Sequence, residues 1–359
     1  MTRVVFVLPD LRLAGAQTRT VDLAEGLAAD RVDVDVLVLL RSVHPALERR
    51  LSDAGITVTR LLHPMRVGRL LHTLATRERP VVHAAMPTAG VVGLLLARLT
   101  RGAFVYSYTN CLHRHRPFTP LAAQDAVKTF LEALLAHRSD ALHAVSESVG
   151  LQLARTYPRA AGRTHILRHG PTMPGSDASG SLVPAPPLTA RPRLLCVSRL
   201  TPHKRVRDAL GATAALKAKY PDVHLVVLGA GPEHHVLRSL AHRLKIAENV
   251  SFTGSTPNVD AFYEWADILL HPSLYEGYPR TFAEAVAKRL PVVSANAPYA
   301  REGHTPGHPL FLARPMDPGS LADGVVGLLG ARCGPPTDVG GDAHRMAALY
   351  RTALGLAAP

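Results

Sequence analysis

Cysteine and long apolar runs are both scarce in this chain of 359 residues. Its three cysteines, Cys111, Cys196 and Cys333, are too widely spaced for a metal site and too few for a disulfide framework, which indicates a reducing compartment. No apolar run reaches the roughly 18 residues of a membrane-spanning helix. The apolar residues 4–8 are also too few for the core of a signal peptide. We therefore expect an unexported, cytoplasmic protein.

Acidic residues are in the minority. The chain carries 41 Lys and Arg against 28 Asp and Glu, a net charge of +13, and residues 1–170 hold 22 against 13, or +9. A basic field attracts nucleotides, nucleic acids or anionic membranes. Because the charges are scattered singly and Arg prevails over Lys, as in GC-rich bacterial genomes, we expect no nucleic-acid partner. A peripheral contact of the basic N-terminal half with the inner membrane face stays open.

Signatures of several enzyme classes are absent. The sequence has no Gly-x-Ser-x-Gly, no Walker loop and no His-Glu-x-x-His, which argues against hydrolases, P-loop ATPases and zincins. Gly229-Ala230-Gly231 lacks the third glycine of a dinucleotide fingerprint, which argues against a dehydrogenase. Asp33-Val34-Asp35 matches the Asp-x-Asp of metal-dependent sugar transferases. Its alternating context instead predicts a strand with both carboxylates on one solvated face, so we expect no metal site.

Short apolar runs alternate with helix-like segments along the chain. In the first half, strands are predicted at residues 4–8, 34–39, 81–84, 104–108, 141–145 and 165–167. The pattern restarts with strands at residues 193–197, 223–228, 250–252, 268–271 and 292–294. Such alternation predicts two doubly wound α/β domains, each with a parallel sheet covered by helices on both faces.

A stretch rich in Pro, Gly and Ser, from Pro171 to Pro192, separates the two patterns. Such a composition predicts an interdomain linker. We therefore assign residues 1–172 to an N-terminal domain, 173–190 to the linker and 191–342 to a C-terminal domain.

The most informative stretch is residues 273–285, where Glu276 and Glu284 lie eight positions apart. Glu276 precedes a Gly-Tyr-Pro turn, and Glu284 is predicted in the first turn of an apolar helix, so both can face one cleft. Carboxylates accept hydrogen bonds from hydroxyls and helix amides bind phosphate, a combination that suits a sugar nucleotide. The alternative for Glu284 is local, because Thr281-x-x-Glu284 also fits a helix capping box.

Two cations, Arg199 and Lys204, lie five positions apart in a loop after a predicted strand. Arg offers a planar fork and Lys a point charge, so together they can grip a diphosphate. A solvated basic loop is the alternative. Because ligands of doubly wound sheets bind at the carboxyl ends of the strands, we favour a phosphate site beside Glu276. In the first domain, Gly15 would let backbone amides approach a phosphate.

These motifs resemble those of the family 4 retaining glycosyltransferases of the GT-B fold. The resemblance spans nearly the whole chain and is strongest from Arg193 to Ser294. It rests on Ser198-Arg199-Leu200 with Lys204, Val227 to Pro232, Asn249 to Gly254, His271-Pro272-Ser273 leading into Glu276 and Glu284, Ala14-Gly15, and Ala144-Val145-Ser146. It implies an α/β GT-B fold, two Rossmann-like domains facing each other across a cleft, with residues 343–359 packed back on the first domain.

The resemblance also implies roles for these residues. Arg199 and Lys204 would hold the donor diphosphate and stabilise the leaving nucleotide, Glu284 would bind the ribose, and Glu276 would contact the donor sugar. The catalytic residues would be Glu276, Arg199 and Lys204, and the donor-binding residues would be Gly15, Arg199, Lys204, Glu276, Gly277, Tyr278, Pro279 and Glu284. The co-substrate would be a UDP or GDP sugar, with no metal and no other cofactor.

Some positions depart from the family pattern. Ala14-Gly15 replaces a Gly-Gly pair, and His169-Gly170 replaces Asn-Gly. Thr109-Asn110 stand where the family has a His that often touches the donor sugar, so the identity of the sugar stays open. Asn110 and His113, the latter in the cationic run His113-Arg114-His115-Arg116, are the acceptor-side candidates.

Two alternatives to a glycosyltransferase stay open at this point. One is a nucleotide-sugar epimerase of the same fold, which would need no acceptor. The other is a non-catalytic basic protein that binds anionic membrane or nucleic acid. Donor turnover that depends on a small-molecule or lipid acceptor would separate the transferase from both.

Overall fold

The computed structural model describes residues 3–12, 15–76, 79–112, 123–168, 189–256, 259–304, 306–331, 333 and 342–353. The chain divides into two units, of which the first combines Met1–Gly170 with Gly340–Pro359 and the second is Pro171–Val339. His113 and residues 173–188 of the predicted linker lie outside the described residues. Of the described helices, none is both long enough and apolar enough to cross a membrane.

The first unit is built on a seven-stranded parallel sheet with the strand order β3-β2-β1-β4-β5-β6-β7. Its strands are β1 (Arg3–Leu8), β2 (Asp33–Val38), β3 (Thr57–Arg60), β4 (Val81–Ala85), β5 (Ala103–Tyr108), β6 (Ala141–Ala144) and β7 (Thr164–Ile166). Its helices are α1 (Gly15–Ala29), α2 (Pro45–Asp53), α3 (Pro64–Thr76), α4 (Pro87–Leu99), α5 (Ala123–Arg138), α6 (Glu147–Thr156) and α13 (Asp342–Ala353).

The second unit is built on a six-stranded parallel sheet with the strand order β10-β9-β8-β11-β12-β13. Its strands are β8 (Arg193–Val197), β9 (His224–Leu228), β10 (Val250–Gly254), β11 (Ile268–His271), β12 (Val292–Ala295) and β13 (Leu310–Ala313). Its helices are α7 (Val206–Lys217), α8 (His234–Arg243), α9 (Asp260–Trp265), α10 (Arg280–Ala287), α11 (Pro298–Glu302) and α12 (Pro318–Leu328). The predicted α/β class with two doubly wound sheets is confirmed.

The second sheet is buried on both faces, as the residues of β8 show. Leu194 and Cys196 belong to one buried cluster, whereas Leu195 between them belongs to another. Successive side chains of a strand point to opposite faces, so this strand contributes to a core on each side of the sheet. Strands buried in this way are continuously apolar in sequence, which explains why the apolar runs located them.

The position of Asp35 contradicts the expectation that the carboxylates of Asp33 and Asp35 share a solvated face. Its strand is present as β2, but its carboxylate is buried and Oδ2 accepts from Arg3 Nε at 2.7 Å. Asp33, two residues earlier, is exposed. The two carboxylates do not share a solvated face, because Arg3 of the neighbouring strand β1 covers the inner one.

A chain of hydrogen bonds joins α13 to the first sheet. The Tyr350 hydroxyl lies 2.6 Å from His83 Nδ1, and His83 Nε2 lies 2.6 Å from Ser107 Oγ. Ser107 Oγ lies 2.7 Å from His143 Nδ1, and His143 Nε2 lies 3.0 Å from the carbonyl oxygen of Leu167. A carbonyl only accepts, so with neutral rings His143 Nε2 donates to it and every earlier bond runs in the same direction. Tyr350 therefore donates to His83, His83 to Ser107, and Ser107 to His143.

Candidate active site

Two loops of the second unit are joined at the carboxyl edge of its sheet. The loop after β8 carries Arg199 and ends in a 3-10 turn at Pro202–Lys204. The loop after β11 carries Glu276. The backbone nitrogen of Leu274 donates to the carbonyl oxygen of His203 at 2.9 Å, and the His203 ring stacks on Tyr275 with centroids 4.6 Å apart. These contacts hold the cationic loop against the acidic one.

Two glycines after β9 let a third loop approach the cationic loop. A Cβ at Gly229 would lie 1.9 Å from the carbonyl oxygen of Ser198, and one at Gly231 would lie 2.3 Å from that of Leu200. Both distances are impossible for a real side chain, and Gly229 also has a φ of 141°. The Gly-Ala-Gly motif therefore serves the close packing of the loop that carries Arg199.

Lys204 and Glu276, 72 positions apart, form an ion pair in which Lys204 Nζ donates to Glu276 Oε1. Their side chains are 17% and 11% exposed. Burial raises the pKa of the Glu276 carboxyl, but the charge of Lys204 and the neighbouring His271 lower it more, so the pKa lies far below its usual value. Glu276 is therefore ionised and offers only acceptor oxygens to a ligand.

Arg199 differs from Lys204 in its surroundings. Its side chain is exposed, and no ion pair links it to another residue in the described part of the chain. A ligand phosphate can therefore reach Arg199 directly, whereas Lys204 must first leave Glu276. The structure brings Lys204 and Glu276 together as the motifs predict.

Glu284 is held from two sides. Its Oε2 accepts from the Tyr263 hydroxyl of α9 at 2.6 Å, and its Oε1 lies 3.6 Å from Arg280 Nε. Burial and the Glu284 charge raise the pKa of Tyr263 well above its usual value, so Tyr263 stays a donor. Glu284 is 14% exposed, which leaves it accessible as an acceptor.

The capping-box alternative for Glu284 is wrong. Helix α10 begins at Arg280, its N-cap is Pro279, and no side chain caps it. Glu284 is the fifth residue of the helix and so lies beyond the first turn, where it was predicted. Thr281 Oγ1 lies 3.2 Å from His271 Nδ1, so its hydroxyl is directed to a histidine and not to the helix amides.

Ser273 and His271, shortly before Glu276, each carry a buried polar atom that lacks a hydrogen bond. Among the described residues, none forms a hydrogen bond with Ser273 Oγ or with His271 Nε2, although His271 Nε2 lies 3.3 Å from Glu276 Oε1. Both residues are at most 3% exposed. Buried polar groups are nearly always satisfied in native proteins, so their position beside Glu276 is consistent with a site that receives a polar ligand or water.

The sequence analysis assigned no site role to three residues, namely His203, Tyr263 and His271. His271 belongs to the His271-Pro272-Ser273 step on which the family resemblance rests, but no chemistry was attached to it. The signal that could have drawn attention to His271 is its position at the carboxyl end of a strand, directly before the Pro272-Ser273 step that leads to Glu276.

The remaining predicted residues lie as follows. Gly277 and Pro279 are buried after Glu276, and Tyr278 is half-buried. In the first unit, Gly15 is the first residue of α1, and a Cβ added there would meet nothing within 4 Å. Asn110 lies in the turn after β5, where its Oδ1 accepts from the backbone nitrogen of Cys111 at 2.8 Å. The proposed ligand contacts of these residues stay predictions.

Comparison with known proteins identifies the protein family. Residues 13–170 match the family described as Glycosyltransferase Family 4, and residues 185–332 match Glycosyl transferases group 1. The chain is 33% identical over 124 residues to a GDP-mannose-dependent alpha-(1-6)-phosphatidylinositol monomannoside mannosyltransferase of Mycobacterium tuberculosis, and this match spans only 32% of either chain. It is 25% identical over 296 residues to the lipopolysaccharide core biosynthesis mannosyltransferase LpcC of Rhizobium leguminosarum bv. viciae, covering 71% of this chain and 76% of LpcC.

A solved structure gives the fold. HepE of Anabaena in complex with UDP and glucose superposes with a TM-score of 0.72 over 99% of this chain and 94% of HepE, at 21% identity. The likeness shows the GT-B architecture that the motifs predicted. With both halves matched, the chain belongs to the family 4 glycosyltransferases of the GT-B fold.

Proposed function

We propose that this protein is an enzyme that transfers a glycosyl group from a nucleoside-diphosphate sugar to an acceptor, with retention and without a divalent metal. The observation that supports this function is the juxtaposition of Lys204 and the ionised Glu276, with Arg199 exposed in the same loop as Lys204. One edge of one sheet thus offers cations for a diphosphate and an acceptor for sugar hydroxyls.

The reaction breaks the bond between the anomeric carbon and the diphosphate oxygen and forms a bond from that carbon to the acceptor oxygen. The bonding electrons stay with the leaving diphosphate oxygen, and this oxygen accepts the proton that the acceptor hydroxyl gives up. Arg199 and Lys204 stabilise the charge that develops on this leaving group, in the place of a metal ion. Glu276 accepts from hydroxyls of the donor sugar, and Gly277, Tyr278 and Pro279 line its approach.

Glu284 accepts from the ribose hydroxyls in this proposal. Tyr263 and Arg280 already fix its carboxylate, so a ribose meets a preorganised acceptor. Preorganisation of this kind reduces the cost of ordering a side chain on binding.

The acceptor proposed here is a lipid-linked sugar or lipid. Two relatives carry names that refer to a phosphatidylinositol mannoside and to lipopolysaccharide core. In this chain, Leu61, Leu62 and Met65 are 42%, 52% and 78% exposed at the start of α3, and Arg69 is exposed one turn further on. Exposed apolar side chains beside basic ones suit the surface of an anionic membrane.

Sedimentation with lipid vesicles tests this membrane contact. The protein should sediment with vesicles that contain phosphatidylglycerol and not with pure phosphatidylcholine. A Leu62→Ser/Met65→Ser variant should lose sedimentation. The control is Leu99→Ser, which removes a side chain of α4 that is 76% exposed. Equal loss in the control, or retention in the double variant, would contradict the assigned surface.

Calorimetry and product analysis test the transfer itself. We expect UDP or GDP to bind, and donor turnover to rise when an acceptor is supplied. Nuclear magnetic resonance of the product should show the anomeric configuration of the donor, and activity should persist in excess chelator. Epimerised donor without acceptor would favour the epimerase. Complete loss in chelator with rescue by manganese would contradict metal independence.

A further inference from the structure

His271 is a buried histidine at the end of β11 that touches the carboxylate of the proposed site. Its Nε2 lies 3.3 Å from Glu276 Oε1, the same oxygen that accepts from Lys204. Its Nδ1 lies 3.2 Å from Thr281 Oγ1. The ring is 3% exposed and packs edge-on against Phe282 and Tyr299. This packing holds Nε2 beside the Glu276 carboxylate at ion-pair distance, although the two atoms do not form a hydrogen bond.

The protonation state of His271 follows from these neighbours. Burial lowers its pKa, the adjacent Glu276 raises it, and the charge of Lys204 lowers it, with the net pKa below the usual value. The ring is therefore neutral near pH 7. A lone pair on Nε2 would repel the carboxylate, so the proton sits on Nε2 and the Thr281 hydroxyl donates to Nδ1.

Donor binding changes the charges around His271 and Glu276. Lys204 cannot stay on Glu276 Oε1 and also bind the diphosphate, so Glu276 loses its principal counter-charge when Lys204 turns to the ligand. A buried carboxylate that loses its main counter-charge is destabilised. His271 is already within 3.3 Å of that carboxylate, and protonation would give it a full positive charge there.

The surroundings of His271 allow this protonation. The charged or titratable groups that face it are Lys204 from the 3-10 turn, Glu276 from its loop, and the hydroxyl-bearing ring of Tyr299 from α11, which donates to the carbonyl oxygen of Ser273. Helix α10 contributes Thr281 and Phe282, which do not titrate. A threonine hydroxyl accepts as well as donates, so Thr281 can rotate to accept from a protonated Nδ1.

We propose that His271 is the positioning residue of Glu276: when Lys204 turns to the donor diphosphate, His271 takes up one proton from solvent and holds the carboxylate in place of Lys204. The inference rests on the proposed function, because it needs a diphosphate that competes for Lys204. It adds a linkage between donor binding and proton uptake that the donor site alone does not require.

Calorimetry of UDP and GDP binding in buffers of different ionisation enthalpy measures this uptake. The wild type should take up a fraction of a proton near pH 7, and its affinity should rise as the pH falls, by at most about tenfold per pH unit for one linked proton. His271→Gln keeps an amide donor toward Glu276 but does not titrate, so the uptake should disappear. Uptake that persists in His271→Gln, or none in the wild type between pH 6 and 8, would overturn the proposal.

His308→Gln is the matched control. His308 is a buried histidine of the same unit whose pKa is also lowered, chiefly by burial. Its Nε2 lies 2.9 Å from the carbonyl oxygen of Leu290, and it precedes β13, at the amino edge of the sheet. Proton uptake on nucleotide binding should be unchanged in this variant. Loss of the uptake in His308→Gln would mean that the uptake reports a general change in the second unit and not the titration of His271.

Turnover kinetics separate positioning from mere structural support. His271→Leu removes the contact with Glu276, so kcat for donor turnover should fall by up to about 100-fold, as for a misplaced catalytic group. The affinity for free UDP or GDP should change much less, because Arg199 and Lys204 remain. An equal loss in kcat and nucleotide affinity would overturn the positioning role. Absence of any nucleoside-diphosphate binding in the wild type would overturn the donor site and this inference with it, whereas binding without uptake would overturn this inference alone.

Discussion

The buried His83 makes the stability of the first unit dependent on pH. Burial and the neighbouring His143 ring lower the pKa of His83 to about 3, and its Nδ1 already accepts from Tyr350. Above pH 6.5 the ring is neutral in the folded and the unfolded chain, so pH has no effect through this residue. Below pH 6.5 the unfolded chain takes up a proton that the folded chain refuses, and the free energy of unfolding falls until about pH 3.

The magnitude follows from the difference between the two pKa values. With 6.5 in the unfolded chain and about 3 in the folded one, His83 alone should lower the free energy of unfolding by about 2 kcal/mol between pH 8 and pH 5. His83→Gln keeps a hydrogen-bond donor near Ser107 and has no titration. The variant should be less stable at pH 8, but its stability should change by about 2 kcal/mol less over the same pH range.

Hydrogen exchange of peptides from β4 and β5 measures this stability locally. The chain holds one tryptophan, Trp265 of the second unit, so its fluorescence reports unfolding of that unit as an internal control. Parallel pH profiles for the wild type and His83→Gln would refute the assignment of the buried neutral ring.

The other predictions concern the proposed donor site. Arg199→Ala should weaken UDP or GDP binding by about 1–3 kcal/mol in calorimetry, as for a charge-assisted hydrogen bond, and leave the melting temperature unchanged. Lys204→Ala should weaken binding similarly but also lower the melting temperature, because it removes the counter-charge of the largely buried Glu276; an unchanged affinity in both variants would contradict the diphosphate assignment. Glu284→Gln should mainly weaken nucleotide binding, whereas Glu276→Gln should mainly lower turnover, and the reverse result would exchange their roles. Gly15→Ala should keep the melting temperature, since a Cβ there meets open space, and should weaken donor binding in calorimetry if ligand approaches that backbone; unchanged affinity would remove Gly15 from the site.

Strands buried on both faces were the elements that the sequence predicted best. Each of these strands forms an apolar run, as β8 and β9 do. Such a strand can therefore be located without knowing which strands lie beside it. The short edge strands β3 and β13 were missed. β3 mixes polar and apolar residues over four positions, and the apolar residues of β13 are half-buried except for Ala313. The edge strands β7 and β10 were predicted, so the apolar content of a strand, more than its place at the edge of the sheet, decides whether the sequence reveals it.

The proximity of the Arg199–Lys204 loop to Glu276 was predictable from the sequence, whereas the pairing of individual side chains was not. Parallel strands end at one edge of a sheet, so motifs after β8 and β11 had to lie near each other. That Lys204 pairs with Glu276, and not Arg199, depends on the 3-10 turn and on the backbone bond between Leu274 and His203. Such contacts follow from loop geometry, which no local pattern encodes.

The Lys204–Glu276 pair bears on which ligand the site prefers. In the proposed function, a free nucleoside diphosphate draws Lys204 away from Glu276 but offers no sugar hydroxyl to the carboxylate. The attraction between Lys204 and the diphosphate is then partly offset by the loss of the Lys204–Glu276 ion pair. A nucleotide sugar supplies both the diphosphate for Lys204 and hydroxyls for Glu276. Because a buried carboxylate is destabilised when it loses its main counter-charge, hydroxyl donors of the sugar would favour the intact donor over the product nucleotide if the proposed function holds. In the proposed function, the Lys204–Glu276 ion pair would therefore act against retention of the product nucleotide.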